Sequence, residues 1–397
     1  MKIGLIHYTS WPVVGGVEAV LRQQATLMAQ AGHSVSVACG DGKRFSDTIP
    51  TLVFPELNLK AELVTQAQQE ITTGYPGTAY FRAVNAVKKR LRSLFMEWDC
   101  VIVHNLMTMP FHMAGTQVVS ELAEEGNRVL AWTHDLAANN QDYSLSRNRV
   151  FDMIRERQPG IEYVVISETR AREFRELIGT SADAVVPNGL DLSTALGLTK
   201  EVAGLLGEVN SQEAILLYPT RILQRKNLEL ALQILAALQK LDFPAWLFIT
   251  GAANGYSPGT QAHFASLKQQ ASELGVTGRI RWVNEHFFVD DAQLRSLYLV
   301  SDALLFTTRQ EGFGLPILEA AAFRLPIFCS DIEPLRSNLP PGSIAFDLRS
   351  SPRNISLAIA KSLKQDRGFL SRKLILQHHA ARDLYRAKIE PLLQRKI

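Results

Sequence analysis

Short β-rich runs alternate with helix-patterned stretches along the whole of this 397-residue chain, in two successive sets. That alternation is the mark of parallel sheets covered by helices, because parallel strands need a crossover between them. The first set has strand candidates at Ile3–Tyr8, Val35–Cys39, Val101–His104, Val129–Thr133, Tyr163–Ile166 and Ala184–Val186. The second has Ile215–Tyr218, Trp246–Thr250, Ile280–Val283, Ala303–Phe306, Ile327–Cys329 and Ile344–Phe346. Each set suits one doubly wound α/β sheet, and the length suits two cores rather than one. A Pro187-Asn-Gly-Leu-Asp191 turn ends the first set, which places domains at 1–190 and 191–377 with a closing helix in 378–397. The stretch from there to Glu213 reads as a polar connector, and the tail shows apolar residues at Ala380, Leu384, Ala387 and Ile389.

Composition narrows the class. Hydrophobic residues at 46% and charged residues at 20% belong to a soluble globular protein, and a net charge of +3 makes no demand for nucleic acid. The apolar run in Met1–His7 is too short for a signal peptide, and no stretch approaches the ~20 apolar residues of a membrane span. Cys39, Cys100 and Cys329 are far apart in apolar surroundings, as expected of reduced core residues in a cytoplasmic protein. Their spacing holds no metal.

Ligands of open parallel sheets bind beyond the carboxyl ends of the strands, so the residues just after strands carry the information. After Ala303–Phe306 comes Glu311-Gly-Phe-Gly-Leu-Pro-Ile-Leu-Glu319, which predicts a glycine-bearing turn and a helix whose first turn holds Pro316 and Glu319. The amides of Gly312, Phe313, Gly314 and Leu315 would leave that helix N-terminus as an anion cradle, flanked by two carboxylates. Such a cradle suits a ligand that is phosphate in one place and polyhydroxylic in others, and a sugar nucleotide is one. The plain alternative is that Glu319 complements the helix dipole and Glu311 is solvated.

Other strand ends are read the same way. Gly15-Gly16-Val-Glu18 opens a helix after the first strand, either as a tight turn or as free amides for a ligand. It lacks the G-x-G-x-x-G spacing of dinucleotide binders. Arg221 and Lys226 stand in the loop before the helix from Leu228, where cations oppose the dipole and are better employed on a diphosphate. Arg225 competes with Lys226 for that place. His104 and His134 each follow a strand; a lone histidine there is structural or catalytic, and Asp135 either orients His134 or caps the next helix. Asn188, Gly189 and Asp191 read as a turn.

Glu311 and Glu319 around Gly-Phe-Gly-Leu-Pro resemble the E-x7-E element of retaining glycosyltransferases of GT-B fold, closest to family 4. Arg221-x4-Lys226-Asn227, Gly-Gly-Val-Glu18 and Trp-Thr-His134-Asp resemble further elements of that family. The resemblance implies two Rossmann-like domains facing across a cleft, the second binding a nucleotide sugar and the first an acceptor. It implies that Glu311 contacts sugar hydroxyls, Glu319 the ribose, and Arg221 and Lys226 the diphosphate, with Gly16 nearby. It places His134 at the reaction centre and the nucleobase on the main chain near Val283. It also implies a metal-independent reaction without cofactor, with a UDP-, GDP- or ADP-hexose as donor substrate. Relatives often carry a Trp near the start of the last helix, where this chain has His378-His379.

The acceptor falls to loops of the first domain: Gly15, Glu18, His104, Asp135 and Asn140, with Asp142 and Tyr143 close in sequence. A sugar, a glycerate, a glycan or a lipid headgroup would suit them. The helix around Arg82–Trp98 sets Lys88, Lys89, Arg90 and Arg92 beside an apolar face, either as an ordinary surface helix or as a basic face for peripheral contact at the inner membrane face. Two other classes fit the same cradle: an epimerase of nucleotide sugars, and a sugar-nucleotide binder without activity.

Overall fold

In the computed structural model, residues 1–140, 143, 145, 148–251 and 258–395 are described. The chain forms two compact units: Met1–Gly189 with the tail from His379, and Leu190–His378. Unit 1 holds β1 (Lys2–Ile6), β2 (Ser34–Cys39), β3 (Thr51–Val53), β4 (Cys100–His104), β5 (Val129–Thr133), β6 (Ile161–Val165) and β7 (Ala184–Val185). They form one parallel sheet in the order β3-β2-β1-β4-β5-β6-β7. Strand β3 has no counterpart in the sequence reading. It is a three-residue edge strand, half exposed, and too short to show an apolar run.

The period of two along the strands sorts unit 1 into two cores. Val101, Val103, Val129 and Ala131 face one side, packed with helices Glu62–Thr73, Thr78–Glu97 and Met113–Glu124. Cys100, Ile102, Leu130 and Trp132 face the other, with Leu21, Ala25 and Met28 of helix Gly16–Gln30. Both faces are covered, so the central strands are apolar throughout. Tyr385, Ile389, Leu392 and Leu393 of the tail complete the second core. The tail's buried face is therefore Ala381, Tyr385 and Ile389, while Ala387 is exposed, in contrast to the face read from sequence. A π-helical turn at Tyr385–Ile389 widens the repeat and keeps every fourth residue inward. Arg128 donates to the carbonyls of Leu392 and Leu393, both at 2.7 Å, satisfying the free end of that tail.

Unit 2 holds β8 (Ala214–Tyr218), β9 (Ala245–Ile249), β10 (Ile280–Trp282), β11 (Ala303–Phe306), β12 (Ile327–Ser330) and β13 (Ile344–Phe346). Its parallel sheet runs β10-β9-β8-β11-β12-β13 around a single large core. The segment read as a polar connector is helical at Leu192–Leu196 and Lys200–Leu205 and sends Val202 and Leu205 into this core. Asp191 caps the first of these helices through the amide of Ser193. In each sheet the strand order reverses once, between β1 and β4 and between β8 and β11. Those two switch points are where an α/β sheet offers a crevice.

The basic helix is Thr78–Glu97, and its buried face is Ala83, Val84, Val87, Leu91 and Phe95. Lys88 pairs with Glu121 at 2.7 Å, Arg92 with Glu125 at 3.3 Å and Arg90 with Glu56 at 3.4 Å. Much of its positive charge is thus answered within unit 1. Among the described residues no helix is long and apolar enough to cross a membrane.

Candidate functional site

At the switch point of unit 2, two loops distant in sequence are fastened together. Gln224–Lys226 forms a 3-10 turn that ends on Asn227 with φ 51°, a left-handed conformation that asparagine tolerates better than most residues. Helix Leu228–Lys240 starts from that residue. Thr307 Oγ1 donates to the Asn227 carbonyl at 2.8 Å and Thr308 Oγ1 to the Arg225 carbonyl at 3.1 Å. The Arg309 amide donates to the Arg225 carbonyl at 2.7 Å, and the buried Tyr218 hydroxyl donates to the Lys226 carbonyl. The result is that Lys226 and Glu311 form an ion pair, with Arg225 3.3 Å from the same Glu311 oxygen. Both paired side chains keep only about a tenth of their surface, 10% for Lys226 and 11% for Glu311. Burial pushes the Lys226 ammonium below its ordinary range, and the Glu311 carboxylate works against that shift. Arg225 therefore shares the carboxylate with Lys226, and Glu311 is not the solvated residue of the plain alternative.

The turn after Glu311 is shaped by Gly314, whose φ is 93° and whose Cβ, if present, would lie 2.5 Å from Leu335. Asn338 holds it from below by donating to the Phe313 carbonyl at 2.9 Å. Gly312, Phe313 and Leu315 are exposed. The helix that follows is Leu315–Ala322 with Pro316 in its first turn, so Glu319 sits in the second turn rather than the first. Tyr298, itself buried, donates its hydroxyl to Glu319 at 2.6 Å; burial and that carboxylate push the phenol pKa up. Arg221 is exposed at the end of β8 and makes no side-chain bond among the described residues. Val283 begins a 3-10 turn, its side chain is in the core, and its carbonyl accepts from the His286 and Phe287 amides.

Gly251, after β9, was not singled out in the sequence, although a glycine directly past a strand is a signal of close approach. A Cβ there would fall against the Thr220 carbonyl and 2.6 Å from the Cα of Arg221. Gly251→Ala should cost about 1–3 kcal/mol through overpacking against backbone. Urea unfolding measures it, and an unchanged midpoint would show that the Thr220–Arg221 segment has room to move.

The switch point of unit 1 gathers three histidines. His7 follows β1, His104 ends β4 and His134 follows β5; all three are buried. His7 Nδ1 donates to the His104 carbonyl at 2.9 Å, and its Nε2 lies 4.0 Å from Glu18. Glu18 also accepts from Thr9. His104 Nδ1 is 3.0 Å from His134 Nε2, with the rings stacked at 24°. Burial is the main cause that pushes all three pKa values down, His134 to about 4. Gly15 is the N-cap of helix Gly16–Gln30, and a Cβ on it would strike the Glu18 carboxylate, whereas one on Gly16 would meet nothing within 4 Å.

Two of the sequence expectations change here. Asp135 neither orients His134 nor caps a helix: its carboxylate meets Asn105 Nδ2 at 3.4 Å and Arg170 at 3.4 Å, while Asn105 Oδ1 accepts from the His134 amide at 2.8 Å. His104, read as an acceptor contact, is wholly buried behind His134 and has no surface to offer a ligand. Asn140 is exposed after the 3-10 turn Ala137–Asn139, and Asp142 lies outside the described residues. Tyr143 meets Phe111 edge-on at 5.6 Å. His7 and Asn105 were missed; no local pattern distinguishes either from a strand-end residue.

Residues 207–375 match the family described as glycosyl transferases group 1, and residues 14–194 match the one described as glycosyltransferase family 4. Together the two spans take in most of the chain. Mannosylglucosylglycerate synthase of Thermotoga maritima is 20% identical over 376 residues, covering 87% of this chain and 84% of its own length. Phosphatidyl-myo-inositol mannosyltransferase of Mycolicibacterium smegmatis is 24% identical over 350 residues, covering 86% and 79%. Among solved structures, Anabaena HepE in complex with UDP and glucose aligns over 100% of both chains at 17% identity with a TM-score of 0.40.

Proposed function

The chain belongs to the group 1, family 4 glycosyltransferases, and from that footing we propose that it moves a hexose, with retention, from a nucleoside-diphosphate sugar to an acceptor hydroxyl. Its two doubly wound units are those of the GT-B architecture. The observation that carries the reading is the fastening of the Arg225-Lys226 turn to the Glu311 loop at the β8/β11 switch point. Cations, exposed amides and a carboxylate then converge where a sugar diphosphate would lie.

The chemical burden of such a transfer is the charge that builds on the departing diphosphate. Lys226, held beside Glu311, and the amides of Gly312–Leu315 are fixed donors for that charge, and fixed donors need no reorganisation as the bond breaks. Arg221, exposed and without a side-chain bond among the described residues, adds a further cation. We assign Glu319 to the ribose, with Tyr298 setting its orientation, and Glu311 to sugar hydroxyls. In unit 1 we assign His134 to the reacting sugar, Gly16 to the donor side, and Gly15, Glu18, Asp135 and Asn140 to the acceptor. Mannose is the sugar to test first, because both sequence relatives above are named for mannosyl compounds or transfer. We place the reaction in the cytoplasm, where the buried free cysteines would stay reduced. Arg82 and Lys89, without ion pairs among the described residues, are the cations left for peripheral contact with an anionic membrane.

The test is a mass-spectrometric screen of UDP-, GDP- and ADP-hexoses against small polar acceptors, glycans and lipid extracts. Transfer should persist with excess chelator, since protein cations do the work of a metal; loss that magnesium or manganese restores would contradict this. Calorimetry with the free nucleoside diphosphate should show Glu319→Ala and Arg221→Ala each weakening binding by about 1.5–3 kcal/mol, the worth of a charge-assisted hydrogen bond. Unchanged affinity in folded variants would move the donor site elsewhere.

A further inference from the structure

The contact between His104 Nδ1 and His134 Nε2, at 3.0 Å, has a direction that its surroundings decide. A neutral imidazole carries one ring proton, so either His104 donates to His134 or the reverse. Burial keeps both rings neutral in the physiological range. The far nitrogen of His104, Nε2, is buried and has no hydrogen-bond partner among the described residues. If His134 were the donor, His104 would have to carry its proton on that far nitrogen, as a buried and unpaired N–H. Orphaned buried donors are rarer than orphaned acceptors, and each costs the desolvation of the group. With His104 donating, the far nitrogen is a bare lone pair, and His134 accepts at Nε2. The one ring proton of His134 then sits on Nδ1. That atom makes no hydrogen bond among the described residues and is not one of the buried atoms left without a partner.

We infer that His104 is a positioning residue, holding His134 as its Nδ1–H tautomer so that His134 offers the substrate a hydrogen-bond donor and not a base. The hydrogen bond made by one ring nitrogen sets the state of the other. The backbone supports the arrangement: His7 Nδ1 donates to the His104 carbonyl at 2.9 Å, and Asn105 Oδ1 accepts from the His134 and Asp135 amides at 2.8 and 3.1 Å. Asn105 does so from a left-handed conformation, φ 57°. His134 is thus held by its ring and by its amide. The chemical consequence is that His134 can steady a sugar hydroxyl or a partial negative charge at the reacting sugar, but it takes up no proton during transfer.

This inference rests on the place given to His134 in the reading above, and its test separates the two. Isotope-labelled histidine and proton–nitrogen correlation spectra at neutral pH read each ring's tautomer directly, with the His134 signals assigned by their loss in His134→Gln. The expected result is a protonated Nδ1 and a bare Nε2 on His134. A protonated Nε2, or an averaged mixture, overturns the inference whether or not the protein transfers a sugar. In the transfer assay His104→Leu should lower kcat about tenfold, the worth of one hydrogen bond, with the donor KM unchanged. His104→Asn, whose amide can donate from nearly the same position, should recover most of that loss. Equal losses in the two folded variants would overturn the positioning role.

Discussion

Lys226→Ala should lower kcat about 10²–10³-fold, the loss seen when one fixed donor to a developing anion is removed. Lys226 is suited to that role because its ammonium is held beside Glu311 and largely out of water, where a charge acts more strongly than in solvent. The substitution also leaves the Glu311 carboxylate short of a partner, at a cost of about 3 kcal/mol for a buried ion pair broken on one side. Arg225, 3.3 Å from the same oxygen, offsets part of it. The two consequences are separable. A Lys226→Ala, Glu311→Ala double variant removes both charges, so its urea midpoint should return toward that of the parent while transfer stays lost. If instead the single variant is destabilised but its folded fraction turns over normally, the ion pair is structural and the donor site assignment fails.

Stability should drop steeply as the pH falls from 6.5 toward 4. His7, His104, His112 and His134 are all buried in unit 1 with pKa values pushed below 6.5, chiefly by burial, His134 to about 4. Above pH 6.5 each is neutral in the folded and unfolded chain alike, and full stability is present. Below it the unfolded chain binds protons that the folded chain refuses, so each such histidine removes about 1.4 kcal/mol per pH unit until its folded pKa is reached. His112 adds a structural cause. Its Nδ1 accepts from the Gly115 amide at 3.0 Å as the N-cap of helix Met113–Glu124, and its Nε2 donates to the Glu56 carbonyl at 2.8 Å. A proton on Nδ1 abolishes that cap. Denaturant midpoints at neutral pH and one to two units lower measure the effect. Equal midpoints across that window would mean that these histidines are reached by water more freely than their burial indicates.

The residue types of the site were readable from local pattern, and for a physical reason. Gly314 and Pro316 announce a turn into a helix, and a cationic loop at a helix start is unfavourable without an anion. Strands such as Val101–Val103 and Ile215–Tyr218 announce themselves because a parallel sheet covered on both faces needs continuous apolar runs. The tail's packing face was misread because a π-helical turn changes the repeat, and β3 was missed because an exposed edge needs little apolar sequence.

What the sequence alone determined, then, was two wound sheets and which side chains stand past their strands, since period, caps and turn chemistry act over a few residues. Which of those side chains meet was decided by strand order. Lys226 reaches Glu311 across 85 residues because β8 lies beside β11, and His104 reaches His134 across 30 because β4 lies beside β5. No local rule foretells those partners. The same adjacency turned Asp135 toward Asn105 and Arg170 and gave His134 a second histidine in its place, because a buried ring nitrogen takes whatever partner the neighbouring strand presents.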